Sequence, residues 1–296
     1  MLVALLIPVI LASIFYCGVL VRAAIQRRAV PAIEAIVLGA VTNFFDTLGI
    51  GSFAPTTAWL KFRNMVPDRL IPSTMIVGHT PPSMVQGIIF LILLGVTVDP
   101  ILLVGCIVAL LAGGLVGAPL VTMVRTWIIQ IIVAFALAIA ALLYVMANLD
   151  LMPVGGTATS LPMALTIIAI TANFAFGVLL NFGIGNYAPT LVMLSLMGMD
   201  PRLCFPIMAG GAALAGAAAS SRHVFIGKVD LRIATGIALG GIPAVLVAAF
   251  IVQGMPVAML RWLVVIVVLY AAAIMLKSAA AGRRVERSGA ALAAAE

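Results

Sequence analysis

Two stretches of this chain decide its fold: Asp46-Thr-Leu-Gly-Ile-Gly-Ser-Phe-Ala-Pro-Thr56 and Leu180-Asn-Phe-Gly-Ile-Gly-Asn-Tyr-Ala-Pro-Thr190. Gly49/Gly183, Ile50/Ile184, Gly51/Gly185, Ala54/Ala188, Pro55/Pro189 and Thr56/Thr190 are identical at one constant offset. The same order of matches continues outward. Pro72 and Pro206 each follow an Arg-Leu pair, Gly113-Gly114 is echoed by Gly240-Gly241, and Trp127 by Trp262. The chain therefore reads as two copies of one unit, residues 30–147 and 162–277. Residues 1–29 stand before them as an N-terminal helix with a basic loop, and 148–161 join them. Residues 278–296, rich in alanine and arginine, read as a disordered cytoplasmic tail.

The surroundings of both stretches are apolar. Of the 296 residues 65% are hydrophobic and only 8% charged, against about 25% charged in a soluble domain. Run after run is long enough for the roughly 20 helical residues that cross a hydrocarbon core. The period-two alternation of a membrane barrel is missing. The class is an all-α integral membrane protein. The net charge of +7 comes from basic residues at the ends of apolar runs, which points to topology and anionic headgroups rather than to nucleic acid. Cys17, Cys106 and Cys204 sit singly inside apolar segments, with no metal or redox spacing.

Glycine and proline break a helix, although proline is at home in a helix's first turn. Each Gly-x-Gly-x-x-Ala-Pro element therefore predicts a half-helix, a short break and a second half-helix starting near Pro55 or Pro189. Broken backbone at membrane depth persists only where protein buries it or where it lines a watery cavity. Paired breaks in corresponding positions are the best sequence pointer to a transporter's binding site.

Charge decides between two topologies. If both broken segments cross fully, there are nine spans and the basic residues divide ten to six, a weak bias. If both are re-entrant, seven spans remain, at about 2–21, 71–95, 100–122, 127–147, 204–221, 233–252 and 258–277. Arg22, Arg27, Arg28, Lys61, Arg63, Arg69, Arg125, Arg222, Lys228, Arg232, Lys277, Arg283, Arg284 and Arg287 then share one side, leaving only Arg202 and Arg261 on the other. That asymmetry is a strong positive-inside signal. Each copy then has a re-entrant broken helix and three transmembrane helices, and an odd number of crossings inverts the second copy. The C-terminus is expected in the cytoplasm.

In each break, free backbone N–H groups and the positive end of the following half-helix form a natural anion site. The expected binding residues are Gly49, Gly51, Ser52, Pro55 and Thr56 in the first copy. Asn181, Gly183, Gly185, Asn186, Tyr187, Pro189 and Thr190 are their counterparts in the second. Side chains that merely cap the broken backbone are the competing reading. Asp46 is the one carboxylate expected at membrane depth, where a charge is costly enough to mark function. Its counterpart is Leu180, so the shared fold does not need it. Proton coupling and capping of the break both suit it. His79 is a second coupling candidate, and Asn43, Asn173 and Gln86 complete the buried polar set. No catalytic constellation, phosphate loop, metal set or cofactor motif appears, so no enzyme activity and no cofactor are expected.

The duplicated Gly-x-Gly followed by proline, with Pro-kinked and Gly-rich helices behind it, resembles the TauE/SafE family of sulfite exporters over about residues 30–277. The resemblance implies a multi-pass permease of the bacterial inner membrane that exports sulfite or organosulfonates. It reaches Gly49, Gly51, Pro55, Gly183, Gly185 and Pro189. Members often carry further glycines after the first Gly-x, where this chain has Ser52-Phe53 and Asn186-Tyr187. The expected partners are a small anion of the sulfite or sulfonate class and the lipid bilayer, and a homodimer is compatible with them. Uptake of another anion such as thiosulfate or a carboxylate, or a passive anion channel, are the alternatives.

Overall fold

The apolar runs do become helices. A computed structural model of the chain describes residues 2–48, 51–95, 97–117, 126–149, 156–180 and 185–293. Among these residues there are eleven α-helices: α1 (Leu2–Gln26), α2 (Ile33–Thr47), α3 (Phe53–Phe62), α4 (Ile71–Leu93), α5 (Pro100–Gly117), α6 (Thr126–Asn148), α7 (Met163–Leu180), α8 (Tyr187–Leu196), α9 (Pro201–Ile226), α10 (Leu231–Gly254) and α11 (Val257–Ala293). Their starts are written in the sequence. Asp200 and Asp230 accept backbone N–H bonds at the heads of α9 and α10, and proline occupies the first turn of α4 and α9.

Among the described residues seven stretches are long and apolar enough to cross a membrane: Leu6–Gln26, Ile71–Leu93, Pro100–Gly117, Met163–Leu180, Pro201–Ile226, Leu231–Val252 and Trp262–Arg284. The chain is a multi-pass helical membrane protein. These are not the same seven expected from sequence. Met163–Leu180 was assigned to a half-helix, yet its 18 residues qualify by length. The expected span 127–147 does form helix α6, but its described apolar stretch, Trp127–Ile139, is shorter than a membrane span needs. The expectation of a disordered tail from residue 278 is corrected, because α11 continues to Ala293. Alanine is the strongest helix former, and the Ala-rich tail extends a helix already nucleated by packing.

Hydrogen bonds between chain segments sort the helix ends into two groups. At the first end, the Ala32 N–H donates to the Arg232 carbonyl at 3.3 Å, joining the heads of α2 and α10. Asp230 N–H donates to Thr74 Oγ1 at 3.0 Å and Ser73 Oγ to the Lys228 carbonyl, tying the head of α4 to the turn between α9 and α10. At the second end, the Asp99 N–H before α5 donates to the Thr159 carbonyl before α7 at 3.1 Å. Arg202, at the head of α9, bonds the Met255 carbonyl between α10 and α11.

The two halves of the chain interlock. Helix α2 packs on α10 and α7 packs on α5, both so closely that only glycine fits. A Cβ at Gly39 would overlap the Ile237 backbone, and one at Gly177 the Leu110 backbone. One at Gly240 would overlap Ile36, and one at Gly113 would overlap Phe174. These are small-residue contacts that let membrane helices approach backbone to backbone. Helix α4 lies against α9, and α6 against α11. The leading helix α1 docks on α4 and α9, where buried Tyr16 donates to the Val77 carbonyl at 2.7 Å.

Candidate functional site

Helices α2 and α3 form a hairpin held at both ends. Near its tip the Ser52 N–H donates to Asp46 Oδ1 at 2.7 Å, across the turn that follows α2. At its base Arg63 Nε and Trp59 Nε1 donate to Glu34 Oε1 at 2.8 and 3.0 Å. Twelve residues of α2 separate Glu34 from Asp46, about 18 Å of rise. The Arg63 guanidinium holds the Glu34 carboxyl below its ordinary range. The base lies at the first end, since α2 starts beside Arg232 and α4 follows α3.

Helices α7 and α8 make the corresponding hairpin from the second end. The chain entering α7 and the chain leaving α8 are joined, with Gly156 and Ala158 N–H donating to the Gly198 carbonyl and Asp200 N–H to the Ala158 carbonyl. Halfway along, Thr190 Oγ1 of α8 donates to Asn173 Oδ1 of α7 at 3.3 Å.

Both second halves dock on one face of α4 through buried polar side chains. Thr56 of α3 meets His79 Nε2 at 3.0 Å, and His79 Nδ1 meets Asn43 Oδ1 of α2 at 2.9 Å. The Asn43 amide is oriented by its Nδ2 bond to the Gly39 carbonyl at 2.7 Å. With Oδ1 as acceptor, Nδ1 must carry the proton, and neutral His79 then accepts at Nε2 from the Thr56 hydroxyl. Seven residues on, two helical turns and about 10.5 Å along α4, Gln86 Oε1 accepts from the Tyr187 hydroxyl of α8 at 2.9 Å. Thus the starts of α3 and α8 each bond to α4, two turns apart, and the polar groups involved are all but completely buried.

The expected site residues fall into three groups. Gly49, Asn181 and Gly183 lie outside the described residues. Ser52, Thr56, Asn186, Tyr187, Pro189 and Thr190 are buried at the heads of α3 and α8. Gly51 adopts φ +82°, a left-handed conformation that suits glycine. Gly185 has open space around its Cβ position. Pro55 borders a cavity of about 270 Å³ with Val41, Thr42, Phe45, Ile266 and Tyr270, an apolar recess between the first hairpin and α11. The side-chain capping role is not taken by Ser52 or Asn186, neither of which bonds its own helix head. Asn186 Nδ2 instead donates to the Met208 carbonyl of α9 at 3.3 Å. Asp46 does cap the break, through Ser52.

The two heads are therefore electrically different. Helix α3 has a carboxylate on its N-cap N–H, which answers the partial positive charge there. Helix α8 has Asn186, Tyr187 and Gln86 at its head, all of them neutral amides or hydroxyls. In the sequence Gln86 stands out only as a buried polar residue. Its seven-residue spacing from His79, which places both on one helix face, was the available signal. Among the described residues no group of histidine, cysteine, aspartate and glutamate is placed to hold a metal. No family model, curated protein or solved structure matches this chain.

Proposed function

We propose that the chain is a secondary transporter for a small sulfur-containing oxyanion, sulfite or an organosulfonate, held between the heads of two re-entrant hairpins and exported across the inner membrane. The observation that carries this reading is the docking of α3 and α8 on one face of α4, through His79 and Gln86. Two helix N-termini converge there with buried neutral donors around them, a chemistry suited to an anion. Because Asp46 already answers the α3 head, the anion belongs nearer α8.

The hairpins enter from opposite ends, as inverted repeats require. The equivalent close contacts, α2 on α10 and α7 on α5, support the same symmetry. Arg27, Arg28, Lys61, Arg63, Arg69, Arg222, Lys228, Arg232, Arg283 and Arg284 belong to the first end, while Arg202 is at the second. By the positive-inside rule the first end, with the C-terminus of α11, is cytoplasmic. Asp46 and His79 are the residues through which protons would couple to transport. The TauE/SafE resemblance supplies the sulfur oxyanion, and the geometry supplies the reason an oxyanion fits.

Thermal stability of the purified protein in sulfite, sulfate, thiosulfate, sulfoacetate, phosphate, acetate and chloride tests the proposal. A ligand confined to the folded state adds about 2.7 kcal/mol at a hundredfold excess over Kd. A selective shift with a sulfur oxyanion, lost in Gly185→Leu, is the expected result. Gly185 has open space where a Cβ would lie, so this variant is expected to fold. A shift with a different anion alone removes the sulfite assignment, and an unshifted panel removes the oxyanion site.

A further inference from the structure

Gln86 is fully buried, at 0% exposure, and one end of its carboxamide is unmatched. Its Oε1 accepts from Tyr187, but its Nε2, with two N–H donors, has no partner among the described residues. A buried donor left without an acceptor costs about 1–3 kcal/mol, and native proteins tolerate few of them. The surroundings explain what it is free for. Tyr187 is the first residue of α8, and Asn186 before it is tied to Met208. Gly87, beside Gln86, is so close to the next residue of α9 that a Cβ there would lie 3.0 Å from the Ala209 carbonyl. Helices α4, α8 and α9 thus converge at the α8 head, with the free amide among them. A helix start leaves its first backbone N–H groups without intrahelical partners, so α8 offers donors at the same place.

We propose that Gln86 is the specificity-determining donor of the oxyanion site, its Nε2 hydrogen-bonding a bare substrate oxygen while Tyr187 fixes which end of the amide faces the anion. This rests on the transport reading above and adds a side chain that the duplicated motif does not contain. The second copy offers the helix head and the first copy offers the reader, so one substrate is gripped by both. A neutral donor suits a site that must release its anion, because it adds no buried charge for the substrate to pair with. It discriminates through geometry: a substrate whose oxygen cannot reach Nε2 leaves the amide unmatched. Halides and carboxylates, without the pyramidal or tetrahedral array of oxygens, satisfy the helix head and Gln86 together less well.

The test is anion-dependent thermal stability with sulfite as the probe, in wild type, Gln86→Met/Tyr187→Phe, Tyr187→Phe and Gln86→Glu. The double variant replaces both partners with apolar groups of similar shape, which is near neutral for folding. It is expected to unfold at or above the wild-type temperature while sulfite affinity falls about ten- to a hundredfold. Tyr187→Phe is expected to lose less, since the donor remains and only its orientation is released. Gln86→Glu keeps an acceptor for Tyr187 but places an oxygen toward the anion, and is expected to abolish the shift. If the double variant fails to fold, Gln86→Glu alone decides. Wild-type sulfite affinity in either Gln86 variant overturns the role of Gln86 while leaving the transport reading intact. Absence of any sulfite response in wild type removes the transport reading, and this inference with it.

Discussion

Replacing His79 by alanine strips two buried groups of their partner at once. Asn43 is 1% exposed, Thr56 0% and His79 itself 2%, so water reaches none of them. His79→Ala leaves Asn43 Oδ1 and Thr56 Oγ1 unmatched, at about 1–3 kcal/mol for each group, and removes the ring that packs against Phe53 at 5.8 Å. Thr56→Val, nearly the same shape, leaves only His79 Nε2 without its partner. The double variant His79→Ala/Thr56→Val has no threonine hydroxyl to strand, so it must be more stable than the sum of the single losses. Such couplings in membrane helix bundles average about 0.6 kcal/mol and reach about 1.7. The complete burial here places the expected value in the upper part of that range. Equilibrium unfolding of the four proteins in mixed detergent micelles measures it. Additivity within about 0.3–0.5 kcal/mol would refute the Asn43–His79–Thr56 chain as a connected unit joining α2, α3 and α4.

Gly240→Ala and Gly113→Ala should each lower the unfolding temperature by an amount matching roughly 2 kcal/mol or more, because the added methyl overlaps backbone of α2 or α7 that cannot swing aside. Gly18→Ala, with open space around its Cβ position, should be neutral or slightly stabilising by the same assay, by up to about 1 kcal/mol. Gly51→Ala meets no neighbour but must adopt φ +82°, so its cost should be the backbone strain alone, about 1–3 kcal/mol. For Glu34 the depressed carboxyl sets the sign: its bond to Arg63 contributes fully above the ordinary value of 4.5 and is lost as pH falls through its lower folded value. Stability measured against pH should therefore show a shallower acid limb in Glu34→Gln, with the neutral range unchanged in slope.

The membrane class and the two breaks were legible because they are local. Long apolar runs and a Gly-x-Gly-x-x-Ala-Pro element each announce themselves within a dozen residues. The positions of Asp46 and His79 in buried helices were legible for the same reason, since a lone polar residue in an apolar run stands out. Partnership was not. Asn43 and His79 are 36 residues apart and Tyr187 and Gln86 are 101 apart, and nothing in an apolar sequence says which distant helices face each other. The register of the expected duplication was also only half visible. The motif pairs Gly49 with Gly183, yet the close-packing glycines that occupy equivalent places are Gly39 and Gly177. Ten residues separate glycine from motif in the first copy and six in the second. The helical course of residues 278–293 was missed because charge and alanine content were read as solvation rather than as helix propensity.

Counterflow of radiolabelled sulfite into proteoliposomes preloaded with unlabelled sulfite addresses transport of a sulfur oxyanion most directly. Saturable uptake is expected, competed by organosulfonates, not by chloride, and lost in Gly185→Leu. Uptake no faster than in protein-free vesicles, or an undiminished rate in Gly185→Leu, would contradict an anion path through the heads of the two hairpins.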